Sequence, residues 1–396
     1  MPSTAVHLVL AGGVTGGHVY PGVAVVESLR ERLPKLRVTL IGTGRAWERE
    51  AAEAHHLDYL AVPSRPLSKS PRRLLGCVKD NLAGYVQAAR FLRRERVTAV
   101  LGLGGYASVP TAAAATRLNL PLVLLEANAV PGKATRWFAL AASHVCLAFE
   151  SAAAALPRRA SILVTGTPVR AGFTAAAVPR PLGYLSRQHV FAGASSFGGE
   201  TYSRAPQPGP RRLVVLGGSQ GAASLNETVP AALARLAPRL TNWRITHVAG
   251  PQGVVATRRC YAIAGVPAEV VPFVADMPKL LQSADAAISR AGGATLAELA
   301  ASGVPTVLCP FPFAADDHQR QNALAVQARG GCLIVDQREA GNALPSRLEE
   351  AIGYLLDDAT RQPMAQAMRS QARPDAAYRV ARALEALIAA QVGSPR

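Results

Sequence analysis

One pattern occurs twice in this chain and limits what it can fold into. An apolar strand runs into a Gly-Gly pair, a further Gly follows, and a helix begins. Val6–His18 is the first copy and Leu213–Ala222 the second. Around each copy, short apolar runs alternate with helical periodicity. In the first half the strand candidates are Val6–Leu10, Val38–Ile41, Val97–Leu103, Leu120–Leu125 and Ile162–Val164, with helices at Glu27–Leu33, Gly84–Arg96 and Thr111–Leu118. In the second half they are Leu213–Leu216, Arg244–Val248, Val270–Phe273, Ala286–Ser289, Pro305–Cys309 and Cys332–Val335, with helices at Ala222–Leu236 and Thr295–Ser302. Strands alternating with helices predict parallel sheets covered on both faces. The expected fold is α/β, with two Rossmann-like domains facing a central cleft. The expected boundaries are 1–170 and 211–374, joined by a Pro/Gly-rich basic linker at 171–210, with a C-terminal helical segment at 375–396 packing back on the first domain. The linker holds five Pro and six Gly but one Glu and no Asp.

The formal net charge is +17, although only 17% of residues are charged. Acids are scarce, and the partner expected is anionic: nucleic acid, an acidic membrane surface or a phosphorylated substrate. The five cysteines form no CxxC, which argues against a zinc site or disulfide framework and for a reducing compartment. No basic n-region precedes Val6–Leu10, so that run is not read as a signal peptide. Val97–Thr116 carries no charge but is broken by Gly102, Gly104, Gly105 and Pro110, which predicts strand, turn and helix rather than a membrane span.

The loop Gly12–His18 lacks GxGxxG spacing, and no acidic residue closes a second strand, so NAD is disfavoured. Its backbone N–H groups suit an anion or a substrate hydroxyl. His18 lies at the strand's C-terminal edge, either as a general base or as a backbone-bonded structural residue. The second loop, Gly217–Ala222, offers Ser219 and a helix N-terminus to a diphosphate but lacks the P-loop Lys. Arg290 is placed as a diphosphate clamp. Glu298 is three residues after Thr295, fitting a capping box or a ribose diol. The polar run Pro310–Ala323 reads as a sugar grip or as a solvated loop. With no Asp-x-Asp, no metal site is expected and no cofactor is implied; any diphosphate charge falls to Arg290 and helix N-termini.

In order along the chain, Thr15–His18, Gly104–Pro110, Glu126–Asn128 with Pro131-Gly132, Pro168–Arg170, Gly217–Ala222, Arg290–Glu298 and Asp316–Ala323 together resemble the MurG family of GT-B glycosyltransferases. That resemblance implies an inverting transfer of N-acetylglucosamine from UDP-N-acetylglucosamine to the muramoyl 4-hydroxyl of an undecaprenyl-diphosphate-linked muramoyl-pentapeptide. It implies a peripheral enzyme on the cytoplasmic face of the plasma membrane. It places His18 as catalytic base. Ser219 and Arg290 would face the diphosphate, Val274 uracil, Glu298 the ribose, and Gly293, Ala294 and Thr295 the nucleotide. Gln319 and Asn322 would bind the sugar, and Thr15, Gly16, Gly17, Asn128 and Arg170 would complete the cleft. Val14, Ala127, Thr167 and His318 depart from the family pattern.

Arg65–Arg96 carries nine Lys/Arg, with Leu74, Leu75, Val78, Leu82, Tyr85 and Val86 at helical spacing. It reads as an ordinary amphipathic helix or as a docking element for an anionic bilayer, using Arg72, Arg73, Leu74, Leu75, Val78, Lys79 and Leu82. The resemblance favours docking. The rival readings are a related transferase for another lipid acceptor and a basic nucleic-acid binder. The latter lacks any helix-turn-helix, zinc-finger or RRM signature, and aromatics are only 5%.

Overall fold

The structure, a computed structural model, describes residues 6–66, 70–174, 209–218 and 221–393. The first half runs β1 (His7–Ala11), α1 (Gly16–Arg30), β2 (Arg37–Gly42), α2 (Ala46–Ala54), β3 (Asp58–Ala61), α3 (Pro71–Arg94), β4 (Ala99–Gly102), α4 (Val109–Arg117), β5 (Leu122–Glu126), α5 (Lys133–Phe138), β6 (His144–Leu147), β7 (Ile162–Val164) and α6 (Ala171–Thr174). The second runs β8 (Arg211–Leu216), α7 (Ala223–Arg235), β9 (Trp243–Val248), α8 (Val254–Ala264), β10 (Glu269–Val271), α9 (Met277–Ser283), β11 (Ala286–Ser289), α10 (Gly293–Ser302), β12 (Thr306–Leu308), α11 (His318–Gln327), β13 (Cys332–Ile334), α12 (Gln337–Ala340), α13 (Leu344–Leu356), α14 (Asp358–Ser370) and α15 (Ala376–Gly393).

All pairings are parallel, in sheets ordered β3-β2-β1-β4-β5-β6-β7 and β10-β9-β8-β11-β12-β13. Each sheet thus reverses its strand order between its first and fourth strands, and the crevice at such a switch point is where α/β sheets take ligands. β1 and β4 end at Gly12–His18 and Gly104-Gly105. β8 and β11 end at Gly217–Ala222 and Arg290–Thr295. The repeated motif therefore lies at the two switch points.

The central strands β1, β4, β5, β8 and β11 are largely apolar because both faces are covered. Leu8 and Leu10 face one core while Val9 and Ala11 face another, and in the second sheet Leu213 and Val215 are opposed to Val214 and Leu216. Val380, Ala381, Leu384 and Ile388 of α15 join the core of Leu8, Leu10, Val19 and Val23, so the end of the chain covers the first sheet. α6 forms where the composition predicts the start of a linker, and Phe173 is buried with Val214 and Leu281 of the second unit. Most of the predicted linker lies outside the described residues.

Three local expectations are corrected. The helix predicted from Glu27 begins at Gly16, because Val19, Val23, Val26 and Leu29 bury one face and override the poor propensity of Gly16, Gly17 and Pro21. The helix predicted from Gly84 begins at Pro71. The helix predicted from Thr295 begins at Gly293. Strands β3 and β6 are not among the predicted strands. Among the described residues, no helix is long and apolar enough to cross a membrane.

Candidate active site

Three helix N-termini open toward the cleft region. α1 follows Thr15, α7 follows Ala222 and α10 follows Gly292, and none has a side-chain cap or an acid in its first turn. Such ends carry positive potential and free N–H donors. α1 and α10 touch across the cleft: a Cβ placed on Gly17 would lie 3.9 Å from that of Ala294. Gly293 permits this approach, since a Cβ there would fall 2.1 Å from the carbonyl oxygen of Ala127. Thr295 lies in the first turn of α10.

Arg290 follows β11 and is 8% exposed. Its guanidinium donates to the carbonyls of Cys309 and Pro310, to Gln337 Oε1 and to Ser224 Oγ in the first turn of α7. It has no carboxylate partner among the described residues, and burial lowers its pKa. A buried cation without a counter-anion, beside the α7 N-terminus, favours an anionic ligand there. Ser219 lies outside the described residues.

His18 is oriented by Thr15, whose hydroxyl meets Nδ1 at 2.8 Å, rather than by a backbone partner. When Nδ1–H donates to Thr15, Nε2 carries the lone pair. That side of the ring faces the Gly104-Gly105 turn: a Cβ on Gly105 would lie 3.8 Å from Nε2. Burial, and then the charge of His318, lower the His18 pKa to about 4, so the imidazole is neutral at physiological pH.

Glu298 does not cap α10. It lies in the second turn, with its carboxylate 3.5 Å from Arg170 Nη2 of the opposite face of the cleft. Arg170 also stacks over Tyr20 at 4.6 Å and Phe173 at 5.6 Å, and its buried Nε has no hydrogen-bond partner. Burial raises the Glu298 pKa to about 7, against the opposing pull of Arg170. Between 4.5 and 7 the native state holds a proton that the unfolded chain has released, so this group's contribution to stability falls as pH rises. The resemblance assigns Glu298 to the ribose, where the ionised form would accept two hydrogen bonds from the diol. UDP affinity is therefore expected to rise about tenfold in all between pH 6 and 8, a rise that Glu298→Gln should lack. Calorimetry over that range checks it, and parallel profiles for the two proteins would remove Glu298 from the ribose.

Asn322 is fully buried and joins the two units. Its Oδ1 accepts from Ala129 N–H at 2.7 Å, and its Nδ2 donates to Asn128 Oδ1 and to the Ala291 carbonyl, both at 3.0 Å. Its amide is thus engaged in bridging rather than turned free toward a sugar. Gln319 Oε1 accepts from Ala291 N–H and Phe311 N–H, while its Nε2 has no partner among the described residues. The Pro310–Ala323 run therefore divides: Phe311, Phe313, Ala315 and Asp316 are exposed, while 318–323 open α11 and turn Asn322 and Ala323 inward. Val274 lies half-buried after β10, against the core of Val214 and Leu216. Asn128 itself is held by Glu126, which also accepts from Gly132 N–H and Thr135 Oγ1.

Models of the glycosyltransferase family 28 N-terminal and C-terminal domains match residues 8–147 and 212–380. A UDP-N-acetylglucosamine–N-acetylmuramyl-(pentapeptide) pyrophosphoryl-undecaprenol N-acetylglucosamine transferase of Thiobacillus denitrificans is 39% identical, over 96% of this chain and 97% of its own. One from Alkalilimnicola ehrlichii is also 39% identical, over 95% and 97%. The Acinetobacter baumannii MurG crystal structure superposes with a TM-score of 0.69 at 28% identity, covering 96% of this chain and 99% of that one. The chain belongs to the MurG family. It is a glycosyltransferase with the two-domain GT-B fold. A structure of Staphylococcus aureus MnaA with UDP shares only that fold, at 13% identity and a TM-score of 0.67, with 99% of each chain covered.

Three residues that shape this MurG-family cleft were not legible in the motifs. Tyr20 stacks on Arg170, Ser224 receives Arg290, and Glu48 anchors the first Gly loop. Tyr20 and Ser224 follow their Gly loops within a helical turn, a spacing that marks them as cleft candidates. Glu48 has no such signal.

Proposed function

We infer that the protein moves N-acetylglucosamine from UDP-N-acetylglucosamine to the 4-hydroxyl of undecaprenyl-diphosphate-linked N-acetylmuramoyl-pentapeptide, with inversion, in peptidoglycan synthesis. The observation carrying this reading is the meeting of the uncapped α1 and α10 N-termini beside Arg290, a site built for a diphosphate-linked sugar. Neutral His18 takes the proton of the 4-hydroxyl at Nε2. The oxygen attacks the anomeric carbon, the bond to UDP breaks, and the electron pair leaves with UDP. The helix ends and Arg290 receive the charge that develops on the diphosphate. Glu298 binds the ribose, the Val274 backbone meets uracil, and Gln319 Nε2 meets the sugar. Thr295, Ala294 and Gly293 lie along the nucleotide, while Thr15, Gly16, Gly17, Asn128 and Arg170 close the cleft from the other side. The deciding assay offers UDP-N-acetylglucosamine with the lipid-linked muramoyl-pentapeptide and with diacylglycerol. Transfer to the first alone is expected; preference for the second would overturn the assignment.

We also place the enzyme peripherally on the cytoplasmic face of the plasma membrane, with no nucleic-acid partner. Support comes from α3, which buries Cys77, Ala88 and Leu92 but leaves Leu75 76%, Val78 53% and Leu82 58% exposed. Lys79 and Arg90 are exposed on the same helix, and Arg72 and Arg73 lie in its first turn. Each base near an anionic surface contributes about 1 kcal/mol. Changing Arg72, Arg73, Lys79 and Arg90 to Gln is expected to weaken binding to anionic vesicles roughly 100-fold or more. Transfer to the lipid acceptor should slow, while transfer to a short-chain soluble acceptor should persist. Unchanged vesicle flotation would place docking elsewhere.

A further inference from the structure

Val14 occupies the left-handed region at φ 73°, the only β-branched residue among the described residues to do so. Its side chain opposes that conformation, which persists only if the surroundings impose it. Both of its backbone polar groups are held. The N–H donates to Glu48 Oε1 at 2.8 Å, and the carbonyl accepts from Arg45 Nη1 at 3.1 Å. Glu48 is fully buried, and its carboxylate also accepts from Thr43 N–H and Oγ1, Gly44 N–H, Arg45 N–H and Tyr59 Oη. Gly13 and Gly42 leave room for it, since a Cβ on either would fall 2.3 or 2.5 Å from a carboxylate oxygen. Burial pushes the Glu48 pKa up, but the hydrogen bonds, first that from Val14, outweigh it and hold the carboxyl below its ordinary range.

This changes the meaning of the first Gly loop. Gly12 N–H is bonded to the Ile41 carbonyl and Val14 N–H to Glu48, so neither is available to a ligand. The next residue is Thr15, which orients His18. We propose that Glu48, assisted by Arg45, is a positioning residue for transfer. By clamping Val14 in its left-handed turn, it aims the N-terminus of α1 and the His18 ring into the cleft. The proposal rests on the reading of His18 as base.

The test measures kcat with the lipid-linked acceptor, KM for UDP-N-acetylglucosamine and thermal melting. Glu48→Gln puts an N–H₂ group among N–H donors and is expected to lower kcat about 10- to 100-fold, the scale of a displaced catalytic group. Donor KM should rise by less than the fall in kcat, because Arg290, Glu298 and Val274, the residues assigned to the nucleotide, lie on the other sheet. Adding Val14→Gly should restore kcat to within about threefold of wild type, since glycine adopts the turn without a clamp. If Glu48→Gln does not fold, Arg45→Ala with and without Val14→Gly carries the same test through the Val14 carbonyl. A kcat loss that Val14→Gly does not relieve, or a donor KM that rises as much as kcat falls, overturns the clamp. Normal transfer by His18→Ala together with rescue by Val14→Gly would keep the clamp and remove His18 as base.

Discussion

Replacing His18 by alanine is expected to lower kcat by about 10²–10⁴-fold, the contribution of a positioned general base. UDP affinity should hardly change, because the nucleotide is assigned to the second sheet. The expected pH profile is distinctive. With the His18 pKa depressed to about 4, the imidazole stays neutral well below its ordinary value of 6.5. The limb of kcat that depends on free base should therefore hold to about pH 5 and fall only as pH drops through about 4. The same depression means that the unfolded chain binds the proton first on acidification, so His18 costs stability as pH falls from 6.5 toward 4. A variant with near-normal turnover would reduce His18 to a packing role beside Gly104 and Gly105.

Gly293→Ala is expected to be nearly as damaging, for a different reason. The new methyl carbon would lie 2.1 Å from the carbonyl oxygen of Ala127, a backbone atom of the opposite unit. Neither partner has a flexible end that can yield, so the two faces must separate. The Asn322 bonds to Ala129 and Asn128, which span the same seam, would be stretched. Displacements on this scale cost about 100-fold in transfer. UDP binding, assigned mainly to one face, should weaken much less, so single-turnover transfer and UDP calorimetry should diverge. Ala127→Gly should not rescue, because the obstruction is main chain. Normal transfer by Gly293→Ala would mean that the cleft does not close this far during reaction.

The Arg290–Glu298 segment illustrates how far pattern reading reached. A strand end, a Gly pair and a helix were legible because each follows from local spacing, and they put Arg290 and Glu298 beside a cleft. The choice between a capping box and a ligand-facing carboxylate was not legible. It depends on Gly292 being the N-cap and on Arg170 standing 3.5 Å from Glu298, a contact 128 residues away in sequence. The α3 segment shows the same limit. Its apolar residues were evident, but only packing divided them into buried Cys77, Ala88 and Leu92 and outward Leu75, Val78 and Leu82.

By itself the sequence determined the class of fold, the two switch-point loops and the family, because strand–Gly–helix units and ordered motifs are local and repeat. Only the tertiary structure decided which groups in those loops are available for chemistry. Val14 N–H is consumed by Glu48, 34 residues on, and the Asn322 amide by Ala129 and Asn128, 193 and 194 residues away. Arg290 is turned onto Ser224 and two carbonyls. The physical reason is that a buried polar group takes whatever partner the packing brings within hydrogen-bond distance. That partner is set by how the two sheets and their helices come together, which no spacing along the chain encodes.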